Sequence, residues 1–70
     1  GIREQIATDR PTGIASVHAN LLNKTGDAHE TEHQMIEALA ETLWEAQGGS
    51  GMPDEDRYLE RLRRLAPSSL

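Results

Sequence analysis

Asp27–Gln47, DAHETEHQMIEALAETLWEAQ, is the stretch whose reading decides the fold. Asp27 is a natural N-cap, and Glu30 stands three residues on, as in a variant capping box. No breaker follows until Gly48-Gly49, so the spacing predicts a helix over Ala28–Gln47. Ile36, Leu39, Ala40, Leu43 and Trp44 recur at helical intervals and define the expected buried side. Gln34, Glu37, Glu41 and Glu45 define the expected wet one. With no Phe and a single Tyr in the chain, Trp44 is expected to anchor the core.

Working outward, Gly26 closes a preceding helix expected over Thr12–Lys24, because glycine takes the left-handed C′ conformation without strain. Ile14, Val17, Leu21 and Leu22 form its apolar stripe. Asp9 can cap it, and Pro11 suits a first turn, where no backbone donor is needed. Gly1–Ala7 reads as the end of a helix cut at its front, with Ile2 and Ile6 on one face. On the other side, residues 48–53 (GGSGMP) have the composition of a flexible loop. A last helix is expected over Asp54–Leu65, with Tyr58, Leu59, Leu62 and Leu65 as its seam. Its acids lie at the start and its arginines at the end, as the macrodipole favours. Ala66–Leu70 is expected to fray. The fold class is therefore all-α: a small bundle of three helices plus a truncated N-terminal helix, forming one domain over residues 1–70.

Bulk properties narrow the function. Seventy residues suffice for one domain, and a chain this short buries only about 60% of its unfolded surface. A marginal core of this kind gains from a second copy, so a homo-oligomer is expected. The opening at Gly1, without an initiator methionine, suggests a fragment of a longer protein. No cysteine is present, which excludes disulfides and thiolate metal sites. A net charge of −5 argues against nucleic acid as a partner. No apolar run approaches the ~20 residues of a membrane span, which points to the cytoplasm.

The chemistry-bearing candidates cluster in His29-Glu30-Thr31-Glu32-His33. These five residues match both H-E-x-x-H and its inverse H-x-x-E-H. Imidazoles at i and i+4 lie one turn apart and can share a divalent ion. At ~100° per residue, Glu32 projects onto the middle of the expected apolar face, His29 ~40° and His33 ~80° off it. Glu30 falls on the polar side and belongs to the cap. A carboxylate aimed into a core needs a counter-ion, which favours the inverse pattern: His29, Glu32 and His33 around zinc or iron. The competing reading is structural, with Glu32 welcome in the first helical turn and the histidines capping or lining a rim. His18, on the stripe of the second helix, is either a rim histidine or a third imidazole ligand. Arg57, Arg61 and Arg64 line one flank of the last helix, either pairing with acidic neighbours or receiving an acidic partner.

GDAHETEHQMIEALAETLWEAQ, PDEDRYLERLRRL and the opening REQIATDRPTGI together resemble the C-terminal part of a proteobacterial family. It is the domain-of-unknown-function family number eighteen forty-one. The resemblance implies a bacterial source and the H-x-x-E-H pattern on His29, Glu32 and His33, while Glu30 sits where that family needs no acid. It further implies a longer chain, with an N-terminal helical segment carrying more histidines, so that ligands of a complete metal site lie outside this one. It implies no established activity. Two functions follow: an uncharacterised helical protein with a divalent-metal site, or a non-enzymatic interaction or oligomerisation module. In the second, the Ile36/Leu39/Leu43/Trp44 face and the Tyr58/Leu62/Leu65 seam bury against a partner. An enzyme ranks below both, because no nucleophile–base pair, phosphate-binding loop or carboxylate dyad is evident.

Overall fold

Four α-helices follow one another in the computed structural model, which describes residues 1–49 and 51–67. They are α1 (Ile2–Thr8), α2 (Ile14–Thr25), α3 (Ala28–Gln47) and α4 (Glu55–Leu65). There is no strand among the described residues. Ser50, inside the expected flexible loop, and 68–70, in the expected frayed tail, lie outside them.

The punctuation follows local chemistry. Gly26 ends α2 at φ 67°, its N–H returning to the Leu22 carbonyl. Asp27 caps α3, its Oδ1 accepting from His29 N at 2.8 Å and Glu30 N at 3.1 Å. Asp54 caps α4 by accepting from Arg57 N. The start of α2 departs from the sequence expectation. Asp9 Oδ1 does accept from Gly13 N and Ala15 N, at 3.1 and 3.0 Å. Yet Pro11 lies outside the helix, and the Arg10–Pro11 peptide is cis. Gly13 stands at φ 101°, a left-handed backbone that no right-handed helix can include, so α2 begins at Ile14 rather than Thr12.

α2 touches each of the other three helices, and α3 and α4 close the bundle beside it. Ile2, Ile14, Val17, Leu21, Met35, Ala38, Tyr58, Leu59, Leu62 and Ala66 form the core. At the end of α4, Ala66 takes the buried place expected of Leu65, which is exposed.

The main correction concerns α3. It buries Thr31, Met35, Ala38 and Thr42, not the expected Ile36, Leu39, Ala40, Leu43 and Trp44. Ile36, Leu43 and Trp44 are 48, 43 and 72% exposed. Ala40 is exposed and Leu39 half-buried. Trp44 is therefore no core anchor; Tyr58, 2% exposed, is the buried aromatic.

The physical reason lies in two threonines. Thr42 Oγ1 donates to the Ala38 carbonyl at 2.8 Å, and Thr31 Oγ1 to the Asp27 carbonyl at 2.9 Å. With its hydroxyl satisfied one turn back, each threonine presents a methyl group and packs as an apolar residue. From Ala38 round to Trp44, the apolar arc of α3 is then about 240° wide. The bundle covers one part of it and leaves the bulkier part open.

Candidate functional site

The three candidate ligands lie together at the start of α3, on the open arc. His29, Glu32, His33 and Ile36 line one small cavity of about 120 Å³. Glu32 sits at mid-arc, as its place in the helix dictates, but the arc is not buried. Its side chain is 40% exposed and lies 3.8 Å from Arg3 Nε of α1. The expected cost of a core-facing carboxylate therefore does not arise. That removes the argument by which burial demanded a metal.

His33 Nε2 lies 2.8 Å from Glu37 Oε1, one turn on, with both side chains well exposed. Glu30 Oε1 accepts from Gln34 Nε2 at 3.1 Å. His18 is half-buried and lines a separate cavity of about 280 Å³ with Ile2, Arg3, Ile6, Ala28 and Glu32. So Glu32 borders both cavities, one holding His18 and the other His29 and His33. Among the described residues, no group of three His, Asp or Glu is placed to hold a metal ion.

The arginine flank of α4 is taken up internally. Arg57 Nε lies 2.9 Å from Glu45 Oε1. Arg61, with 16% of its side chain exposed, pairs through Nη2 with Glu45 Oε2 and lies 3.5 Å from Glu41 Oε1. Its Nη1 donates to Thr42 Oγ1 at 2.9 Å. Arg64 Nε lies 3.4 Å from Glu60 Oε1. Hydrogen bonds from Arg61 and Arg57 hold the Glu45 carboxyl below its ordinary value. Glu41 and Glu45, expected on the wet side of α3, thus fasten it to α4, which turns the bulky arc outward.

That arc is the feature sequence reasoning misplaced. It runs His29, Glu32, Ile36, Leu39, Leu43, Ala46 at alternating steps of three and four, the spacing of a helix-pairing seam. Ile36 and Leu39 also line a groove of about 570 Å³ against Gly1, Ile2, Arg3 and Glu4 of the α1 end. The usable signal was the width of the apolar arc: a helix apolar over two-thirds of its girth has a second face to cover.

Among the described residues, no helix is long and apolar enough to cross a membrane. The family model described as a domain of unknown function (DUF1841) matches residues 1–64. No curated protein and no solved structure matches the chain.

Proposed function

The chain belongs to the family described as a domain of unknown function (DUF1841), and from that footing we propose that it is a helical interaction module that pairs with a second copy through α3. One observation carries the reading: Ile36, Leu43 and Trp44 stand 48, 43 and 72% exposed on one arc of a single helix. Large apolar side chains clustered in this way mark a surface that another protein covers. The steps Ile36–Leu39–Leu43–Ala46, three, four and three residues, read the same in both directions. A second α3 laid against the first therefore offers a matching ladder, as an isologous two-fold interface requires. This module acts in the cytoplasm and without nucleic acid, in keeping with its acidic charge.

Sedimentation velocity tests this. The unmodified chain should sediment as a dimer at micromolar concentration and Leu43→Lys as a folded monomer. A folded monomer for both would end the proposal.

A second reading keeps a divalent ion, zinc or iron, on His29, Glu32 and His33. The observation favouring it is the Glu37 carboxylate on His33 Nε2. A carboxylate on one ring nitrogen orients a histidine whose other nitrogen binds metal. Elemental analysis of untagged protein purified without chelator tests it. Stoichiometric metal lost in His33→Ala supports the reading, and sub-stoichiometric metal unchanged by that substitution ends it.

A further inference from the structure

Resting on the self-pairing proposed above, we infer that the two α3 helices run antiparallel, mirrored about position 41. Ile36 then faces the partner's Ala46, and Leu39 faces the partner's Leu43.

Two observations select this arrangement. The first is charge. A parallel pair sets each residue of the seam against its own copy, so the two Glu32 carboxylates meet between the helices. Like charges brought together in this way strongly disfavour a pairing. Mirrored about position 41, the counterpart of Glu32 falls beyond Gln47, the last residue of α3. The two acids are carried to opposite ends of the dimer, where Arg3 already lies 3.8 Å from each.

The second is the identity of the facing layers. The mirror gives Ile36–Ala46, Leu39–Leu43 and their two symmetry copies, all apolar. The neighbouring antiparallel register, one heptad away, sets Glu32 against the partner's Leu43 and leaves a carboxylate under an apolar cover. Within the overlapping segment the remaining acids, Glu37, Glu41 and Glu45, lie about 120° or more from Leu43 around the helix, outside the seam. Arg57 and Arg61 hold Glu45 on the far side, against α4.

The absence of native cysteine makes a thiol test direct. Leu39→Cys and Leu43→Cys are oxidised separately and as an equimolar mixture, then resolved by mass without reductant. Facing positions in the antiparallel pair bring the two different thiols within disulfide reach. Like thiols are four residues out of step, about 6 Å along the axis in addition to the helix separation. The mixture should form at least about tenfold more covalent dimer than either variant alone. Ile36→Cys with Ala46→Cys, a layer that leaves both leucines intact, should behave the same way; its like thiols are about 15 Å out of step. Efficient dimers in each single variant would mean parallel helices and overturn the inference. So would the absence of mixed disulfide in both pairs, provided the unmodified chain sediments as a dimer. A monomeric unmodified chain instead removes the self-pairing itself, so the two failures are distinguishable.

Discussion

Met35→Ala should unfold this protein far more readily than Trp44→Ala, although tryptophan is much the larger side chain. Met35 is 0% exposed and Trp44 72%. Truncating a buried methionine removes its transfer free energy and leaves a cavity, together about 2–5 kcal/mol. A chain of this size is stable by only about 4–10 kcal/mol, so the loss is a large part of the total. With a urea dependence of about 1–2 kcal/mol per molar, the midpoint should fall by at least about 1 M. Trp44→Ala removes a side chain already in water and should shift stability by less than about 0.5 kcal/mol. Both belong in a Leu43→Lys background, so that self-association contributes nothing. The assay is urea unfolding followed by far-ultraviolet circular dichroism, which does not depend on the tryptophan. A loss of about 3–5 kcal/mol for Trp44→Ala, with little for Met35→Ala, is what an inward-facing Trp44 would give. That result would refute the assignment of faces on α3.

Burial pushes the Tyr58 phenol up from 10.0 to about 12. Its hydroxyl donates to Gln5 Oε1 at 3.0 Å. Between those two values the unfolded chain loses the proton and the folded chain keeps it, so stability should decline above about pH 10. Tyr58→Phe should remove that alkaline decline, as read from unfolding midpoints across the range; an unchanged decline would be the contrary result. Glu45 is the reverse case. Its folded value lies below 4.5 because Arg61 and Arg57 donate to it, so its contribution is complete above about pH 4.5 and vanishes as pH falls through the folded value. Glu45→Gln should flatten the acid limb of the stability curve, and an acid limb as steep as before would count against the α3–α4 ion pairs. Gly13→Ala forces φ 101° on a residue with a Cβ and should destabilise by about 1–2 kcal/mol in thermal unfolding. A neutral outcome would mean that the α2 entry relaxes to right-handed backbone.

Helix existence was legible because caps and breakers are local. Asp27 and Gly26 each act on backbone groups within four residues, and their identity alone places two helix ends. The start of α2 was less legible: Pro11 was read into its first turn, whereas the left-handed backbone at Gly13 sets the start at Ile14. The buried face of α3 was misread for a different reason. Hydropathy counts threonine as polar, but Thr31 and Thr42 each spend the hydroxyl on a carbonyl one turn back. Their methyl groups then enter the core beside Met35 and Ala38. Glu41 and Glu45, read as solvent-facing, meet Arg61 on α4; such a tertiary pairing leaves no mark in the periodicity of one helix. Glu32 was expected to face the core because Ile36 and Leu43 were taken for the buried side; with Met35 and Ala38 buried instead, it lies 40% exposed beside Arg3.

The unmodified chain contains one tryptophan, so the emission wavelength and acrylamide quenching of Trp44 over a dilution series report directly on which face α3 turns outward. At the lowest concentrations Trp44 should emit as a solvated indole and quench freely. Trp44 stands one heptad on from Glu37 and flanks the pairing seam, so both signals should stay those of a solvated indole as concentration rises, while the sedimenting mass reports the pairing. An indole already shielded at the lowest concentrations, in the folded monomer, would contradict the account.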